Sequence, residues 1–162
     1  MSRGLRNNNP GNISRSKVRY KGEVHPSRDP EFKEFSTMAY GYRAVIVLLD
    51  TYRSRYGLNT IRQMLNRYAP PEDNFTEGYV RFVSDYSGVM PDEIVDTRAE
   101  KDMIPIVSAM SKIENGVAAN IADVERGWEL FVVGNYPFSG AVWQMVAQPL
   151  SYIRFFSYLC PN

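Results

Sequence analysis

The alternation of apolar and polar positions predicts a mainly helical chain. From residue 41 to residue 131, apolar residues recur at intervals of three and four, which is the spacing of one face of an α-helix. Polar caps, glycines and prolines divide this pattern into separate helices. The first helix is predicted to start at Gly41 and stop at Gly57, the second to start at Asn59–Thr60 and stop at Pro70, and the third to start from a cap at Thr76. A short helical turn follows at Met90–Glu93. The last two helices are predicted from a cap at Asp102 to a stop at Gly116, and from Ile121 to Phe131.

The predicted helix from Asp102 to Asn115 carries the most informative residue, Glu114. Glu114 lies on the apolar face of that helix, four residues after Met110, and Asn115–Gly116 then ends the helix. Burial and the negative end of the helix dipole both disfavour an ionised carboxylate, as a general acid requires. The apolar face consists of Met103, Ile106, Val107, Met110, Ile113 and Val117, with Pro105 in the first turn.

The first 35 residues follow a different pattern, in which polar residues, glycines and prolines predominate. Asn7 to Asn12 has the density of Asn, Pro and Gly that marks a tight, structured turn. Residues 13–35 predict a short, twisted β-hairpin or irregular β region, anchored to the core by Phe32 and Phe35. The fold class that follows is mainly α (α+β), with one small N-terminal β region.

Residues 132–162 are predicted to form an apolar extension packed on a domain of residues 1–131. The stretch from Phe138 to Leu159 is apolar, and its length would suffice for a membrane span of about 20 residues. Four residues interrupt it, namely Gln144, Gln148, Pro149 and Arg154. Because an arginine at mid-bilayer is costly, packing on the core is favoured over membrane insertion.

Composition narrows the chemistry. The 162 residues carry a net charge of +1, which gives no reason to favour a nucleic acid as partner. Six basic residues between Arg3 and Lys21 are interpreted as a solvated surface. The single cysteine, Cys160, and the single histidine, His25, leave no material for a disulfide, a multi-cysteine metal site or a serine–histidine triad. No metal and no organic cofactor are therefore expected.

Several short motifs occur in a fixed order along residues 3–131. They are Arg3 to Ile13 (RGLRNNNPGNI), Tyr20-Lys21-Gly22, Phe32 with Phe35, Gly41 to Ala44, Tyr68 to Thr76, and Glu114 to Gly116. Together they resemble a family of small phage and prophage proteins that are often labelled virion or structural proteins. The resemblance implies a phage or prophage origin, with virion components as partners.

A second resemblance, to autolysin-type N-acetylglucosaminidases with a lysozyme-like fold, supplies a chemistry. Asn8 to Ile13, Tyr20 to Gly22 and Tyr68 to Pro71 are similar to motifs of those enzymes and follow in the same order. The helix ending at Glu114 is similar to their catalytic-glutamate helix, but it comes last here instead of first. That order is the one a circular permutation would give, which is reasonable where chain termini lie close together.

The second resemblance implies a peptidoglycan glycan-strand cleaving enzyme, either a muramidase or glucosaminidase or a lytic transglycosylase. Glu114 would be the general acid, and Tyr68 would position the N-acetyl group of the substrate. Substrate binding would fall to Asn8, Asn9, Asn12 and Tyr20. A second carboxylate, if one takes part, would come from Glu23, Asp29, Glu31 or Glu34. Asp29 and Glu23 are preferred, since the β region faces the acid across the cleft in lysozyme-like folds.

Two other classes stay open. One is a non-catalytic phage structural or glycan-binding protein with the same fold, in which Glu114 is a surface residue and the asparagines merely hold a turn. The other, a membrane-acting lysis protein, rests on the C-terminal stretch alone. Met1 to Asn12 has no apolar core, so no signal peptide is predicted. The protein is expected to be made in the cytoplasm and to act at the cell wall or periplasm.

Overall fold

A computed structural model describes residues 1–71 and 75–135 of the chain, and within them the fold is mainly helical. This confirms the predicted fold class. The helices, in chain order, are α1 (Arg3–Arg6), α2 (Met38–Tyr56), α3 (Ile61–Tyr68), α4 (Thr76–Ser87), α5 (Glu100–Asn115) and α6 (Ile121–Asn135).

Three helix ends follow the predicted capping signals, at Gly57, Thr60 and Gly116. The hydroxyl of Thr60 accepts a hydrogen bond from Gln63 N–H at the start of α3, as predicted. Gly57 and Gly116 close α2 and α5 in the left-handed conformation, with φ of 66° and 75°. Helix α2 begins three residues before Gly41, because the Thr37 hydroxyl caps Tyr40 N–H.

Two predictions after α3 are wrong, the cap at Thr76 and the helical turn at Met90–Glu93. Thr76 does not cap α4; it is the first residue of the helix, and its hydroxyl donates to the carbonyl of Ala69 at the end of α3. Met90–Glu93 is a turn and not a helix, closed by a hydrogen bond of 3.2 Å from Glu93 N–H to Met90 O. In both places a polar group has a partner outside the predicted helix, the carbonyl of Ala69 for the Thr76 hydroxyl and the N–H of Arg62, at 3.0 Å, for the carbonyl of Pro91.

The start of α5 also differs from the prediction. The helix begins at Glu100, after Ala99, so that Asp102 lies inside the first turn. The Asp102 carboxylate accepts a hydrogen bond of 2.9 Å from Asp96 N–H in the preceding loop and therefore does not cap the helix. Pro105 consequently lies in the second turn.

Helix α5 is the central helix of the described fold. Met103, Ile106, Val107 and Met110 of the predicted apolar face are at most 3% exposed. Each such side chain contributes roughly 1.5–3 kcal/mol on burial. Val117 falls past the helix end and is 52% exposed, so the face stops short of the predicted position. Ser108, Ala109 and Ser111 are also buried, because α1, α2 and α4 all pack against α5.

The N-terminal region is more irregular than the predicted hairpin. It begins with α1, a single helical turn that the sequence pattern did not predict. In the described residues after it, the β pairing consists of isolated bridges, Ser14 with Phe32 and Glu23 with Phe35. Phe35 is 1% exposed and anchors this region to the core, as expected.

Residues 1–131 form one compact unit. Residues 136–162 lie outside the described residues, so the packing of the apolar extension stays a prediction. Among the helices that are described, none combines the length and the apolar character that a membrane crossing needs.

Candidate functional site

Glu114 is the centre of the candidate site. It lies in the last turn of α5, half-buried, and its two carboxyl oxygens accept separate hydrogen bonds. Asn12 Nδ2 donates to Oε2 and the Tyr79 hydroxyl donates to Oε1, both at 2.8 Å. Burial raises the pKa of Glu114, and these two hydrogen bonds offset only part of that effect. The predicted direction of the pKa is thus the one found.

The asparagine-rich turn brings Asn12 to Glu114. Asn8 and Asn12 have φ of 50° and 47°, a conformation that asparagine tolerates better than most residues. Between them, Asn9 is fully buried and its side chain holds three backbone groups, the carbonyls of Ile13 and Lys33 and the N–H of Ile13. The turn is therefore fixed from inside before it reaches the carboxylate.

Asn115, next to Glu114, fastens the same turn to the end of α5. Its Nδ2 donates to the carbonyls of Pro10 and Ser111, both at 2.8 Å. Its Oδ1 accepts a hydrogen bond of 2.6 Å from the Ser2 hydroxyl. Glu114 and Asn115 together thus join the first twelve residues to a helix about a hundred residues later in the chain.

Two glycines of the opening motifs permit this close packing. A Cβ atom on Gly41 would lie 2.0 Å from the carbonyl oxygen of Asn8, at the start of α2. A Cβ atom on Gly4 would lie 2.5 Å from Asn115 Oδ1 and 2.6 Å from Asn12 Oδ1. A larger residue at Gly41 would push the turn away from α2, and one at Gly4 would collide with the side chains of Asn12 and Asn115.

Glu114 opens onto a groove of about 450 Å³, which we call the acid groove. Its wall includes Asn12, Tyr20, Tyr52, Tyr68, Phe32 and Glu114. The structure therefore brings together four of the residues that the sequence singled out, Glu114, Asn12, Tyr20 and Tyr68. They come from α5, the N-terminal turn, the β region and α3.

Two tyrosines flank the acid. Tyr68 and Tyr79 meet edge to face with ring centroids 6.1 Å apart, and the Tyr68 hydroxyl donates to the carbonyl of Gly11. Burial, and then the nearby Glu114 charge, raise the pKa of Tyr68 well above 10. Burial, Tyr68 and Glu114 do the same for the pKa of Tyr79. Both hydroxyls accordingly remain protonated near neutral pH and can act as donors.

Asp29 does not lie in the acid groove. It is 8% exposed and accepts two hydrogen bonds of 2.7 Å from the Arg3 guanidinium. Asn7 and the N–H groups of Glu31 and Phe32 donate to it as well. The hydrogen bonds from Arg3 hold the pKa of Asp29 well below its usual range, because they outweigh the opposing effect of burial. Asp29 therefore organises the N-terminal region away from Glu114.

Glu23 is likewise held inside the β region. Its carboxylate contacts Lys33 Nζ at 2.9 Å, the N–H of Tyr20 at 2.9 Å and the His25 ring at 3.1 Å. Burial opposes ionisation, but the Tyr20 N–H, Lys33 and His25 outweigh it, and the pKa of Glu23 is lowered. Glu31 and Glu34 are ion-paired with Arg3 and Arg28. The structure does not bring any of these four carboxylates to Glu114.

Asn8 and Asn9 lie apart from the acid groove. Asn8 Nδ2 donates to the carbonyl of Phe35 at 3.0 Å, and Asn9 is fully buried as described above. The geometry thus assigns these two asparagines to holding the turn, which was the alternative left open from the sequence. Of the three asparagines, Asn12 is the one that reaches the groove.

Tyr79 is the site residue that the sequence analysis missed. Its contact with Glu114 joins α4 to α5 across 35 positions in sequence, so no local spacing signals it. Among the described residues, no cluster of three or more His, Cys, Asp and Glu side chains could hold a metal ion.

Fold and site together define a mainly helical protein with a half-buried carboxyl group of raised pKa on the wall of an aromatic groove. No established family profile matches the chain. The chain is 36% identical over 132 residues to Protein P5 of Pseudoalteromonas phage PM2, an alignment that covers 79% of this chain and 81% of that protein. The chain belongs to the family of this phage protein, which confirms the predicted relationship to phage proteins.

Proposed function

We propose that this protein cleaves the glycan strands of peptidoglycan, with Glu114 as the general acid. The observation that carries the proposal is a carboxyl group with a raised pKa that faces a groove large enough for a sugar chain. A carboxylic acid that keeps its proton near neutral pH is what a glycosidase needs to protonate a leaving sugar oxygen.

The acid would act in two steps. Glu114 gives its proton to the glycosidic oxygen while the bond from that oxygen to the anomeric carbon breaks. The resulting carboxylate then takes a proton from the nucleophile, either a water molecule or the sugar's own hydroxyl. Asn12 and Tyr79 donate to both carboxyl oxygens and so stabilise the carboxylate formed in the first step.

The nucleophile is expected to come from the substrate or from water without help from a second carboxylate. Among the described residues that line the acid groove, Glu114 is the one carboxylate. Routes that use the substrate's N-acetyl group or its own hydroxyl need no second protein carboxylate. Asp29 and Glu23 are engaged in ion pairs elsewhere, so they support the N-terminal framework and not this step.

The groove wall suits a sugar chain. Tyr20, Tyr52 and Phe32 contribute ring surface, and the hydroxyls of the two tyrosines add polar edges, a combination that fits the mixed faces of a sugar ring. The Tyr68 hydroxyl donates a hydrogen bond to Gly11 O. Its lone pairs can accept a hydrogen bond from the amide N–H of an N-acetyl group. Tyr68 therefore keeps its proposed role as the residue that positions this group.

A second candidate is a phage structural or glycan-binding protein that uses the same groove without turnover. It is favoured by the two hydrogen bonds that already occupy both oxygens of Glu114 within the protein. In that case Glu114 would mainly fasten the N-terminal turn to α5.

The test is release of soluble muropeptides from purified sacculi, separated by chromatography and identified by mass. The wild type is expected to release them, and Glu114→Gln is expected to be at least about 100-fold slower, as for loss of a general acid. Glu100→Gln is the matched control, since Glu100 is an exposed residue at the opposite end of the same helix.

Binding to sacculi without any release by the wild type would instead support the second candidate. Equal rates for wild type and Glu114→Gln, with both variants folded by circular dichroism, would remove Glu114 from the chemistry.

A further inference from the structure

A second groove continues from the acid groove. It has a volume of about 1040 Å³, and Val18, Tyr20, Leu48 and Tyr52 line both grooves. We call it the basic groove. Because the two share a wall, a polymer held at Glu114 can extend into the basic groove without leaving the surface.

The basic groove has a one-sided charge. Its wall carries five basic residues, Arg19, Lys21, Arg43, Arg55 and Arg67. Among the described residues that line it, there is no aspartate and no glutamate. The chain as a whole is almost balanced at +1, so this concentration of positive charge is local.

Helix α2 builds the largest share of this wall. Its lining residues follow one another at steps of four, one, three, one, three and one, which keeps them on one helical face. They are Arg43, Val47, Leu48, Thr51, Tyr52, Arg55 and Tyr56. Gln63, Asn66 and Arg67 of α3 and residues 18–21 also line the groove. Its wall therefore combines basic and tyrosine side chains.

The cations differ in how they are held. Lys21 and Arg55 form no ion pair with any carboxylate in the described part of the chain. Arg67 lies over the rings of Tyr56 and Tyr52, at 3.7 Å and 5.4 Å from their centroids. Arg43 is 8% exposed, with its Nε donating to a backbone carbonyl at 3.1 Å.

We propose that the basic groove binds the carboxylates of the peptide stems that branch from a peptidoglycan strand lying in the acid groove. This inference rests on the proposed function and names its substrate class as peptide-bearing strands. Guanidinium groups pair with carboxylates through two parallel hydrogen bonds, and Lys21 and Arg55 are placed to receive such groups.

A carboxylate ligand fits this groove better than a nucleic acid does. Proteins that bind single strands combine a basic groove with aromatic rings on which bases stack. Here Arg67 already covers one face of the Tyr52 and Tyr56 rings, which leaves less ring surface for stacking. Continuity with the groove of Glu114 also places the charges beside a sugar chain.

The test measures binding with Glu114→Gln as the background, so that turnover does not change the probes. The probes are a peptide-bearing glycan fragment, a chitin oligomer of similar length without charge, and a single-stranded DNA oligonucleotide. The test variant adds Lys21→Gln and Arg55→Gln. The matched control adds Arg81→Gln and Lys101→Gln, two exposed residues that line neither groove.

The peptide-bearing fragment is expected to bind more tightly than chitin. The test variant should weaken its binding by about tenfold at low salt, at up to about fivefold per charge. Chitin binding should not change, and the control variant should match the background protein. Added salt should reduce the difference between the two glycans.

Three results would overturn the inference. One is equal binding of chitin and the peptide-bearing fragment in all variants, and another is the absence of binding by either glycan. The third is tighter binding of DNA that is lost in the test variant, which would make the basic groove a nucleic-acid site.

The failure of this inference can be told apart from failure of the proposed function. Charge-dependent binding of the peptide-bearing fragment without release by the wild type would uphold the basic groove and refute cleavage. Equal cleavage of charged and uncharged strands, unaffected by the two substitutions, would uphold cleavage and refute the stem-binding role.

Discussion

Two regions of this protein hold a carboxylate at a junction with the N-terminal segment, and they treat it in opposite ways. At Asp29 the Arg3 guanidinium and three further N–H donors surround the group, and its pKa is lowered. At Glu114 burial dominates, two neutral donors are present, and the pKa is raised.

The difference teaches what separates a structural anion from a candidate acid. A guanidinium that contacts both carboxylate oxygens stabilises the charge more than burial destabilises it. Two neutral donors do not, so Glu114 retains its proton to higher pH. The residue type is similar in both places, and the partners decide its chemistry.

The largest expected effect comes from neutralising each of the two carboxylates in turn. Glu114→Gln should reduce glycan cleavage by about 100-fold or more while the protein stays folded. Asp29→Asn should leave most of the cleavage rate at temperatures where the protein is folded, but should lower the melting temperature. Muropeptide release and thermal unfolding measure the two quantities. An active Glu114→Gln, or an inactive but stable Asp29→Asn, would reverse the comparison.

A smaller effect is expected at Asn115, which fastens the N-terminal turn beside Glu114. Asn115→Ala removes three hydrogen bonds, with the Ser2 hydroxyl and the carbonyls of Pro10 and Ser111. The free energy of unfolding should fall by about 2 kcal/mol, as measured by urea titration. Asn66→Ala, at an exposed position of α3, is the control and should change little. Equal stability of the two variants would show that the turn is held without Asn115.

The pH dependence of stability should have opposite signs at the two sites. The folded pKa of Glu114 lies above its ordinary 4.5, so stability is lost as pH rises from there through the folded value. Glu114→Gln should therefore gain in melting temperature relative to the wild type as pH rises from 4.5 through the folded pKa of Glu114. Asp29 has a lowered pKa, so its contribution is present above 3.8 and is lost on acidification.

The difference in melting temperature between Asp29→Asn and the wild type should accordingly shrink as pH falls below 3.8. Melting temperatures of the three proteins across the pH range check both signs. Parallel curves for Glu114→Gln and the wild type would mean that Glu114 titrates normally.

The smallest effect is expected from Tyr79. Its hydroxyl donates to Glu114 and lowers the pKa of that group, against the larger effect of burial. Tyr79→Phe should therefore raise the pKa of Glu114 further and move the alkaline limb of kcat/KM to higher pH. Tyr86→Phe, on the same helix and 45% exposed, is the control. An alkaline limb that moves to lower pH in Tyr79→Phe would contradict this account of the acid.

Local signals in the sequence predicted the helices well where a cap or a glycine acts within a few residues. The Thr60 cap and the stops at Gly57 and Gly116 depend only on neighbouring backbone groups, and they were found. Thr76 and Asp102 also look like caps, but their oxygens are hydrogen-bonded to groups outside their own helices. A capping residue can be recognised from sequence only when no distant partner competes for it.

The candidate site was likewise predictable from sequence only in part. That Glu114 lies on an apolar face at a helix end follows from spacing alone, and so does the direction of its pKa. Which residues meet it does not follow, because Asn12 and Tyr79 are 102 and 35 positions away. The same limit applied to Asp29, since nothing in its local sequence shows that Arg3 folds back onto it.

By itself, the sequence determined the helical class, several of the helix ends and the position of one carboxyl group on an apolar helix face. These depend on periodicity and on contacts within a single turn. Only the tertiary structure decided which carboxylates are neutralised and which one faces a groove. It also gathered Arg43, Arg55 and Lys21, from a helix and a distant loop, into one wall. Charges and hydrogen bonds act through space, so their effect depends on which residues the fold brings together from distant parts of the sequence.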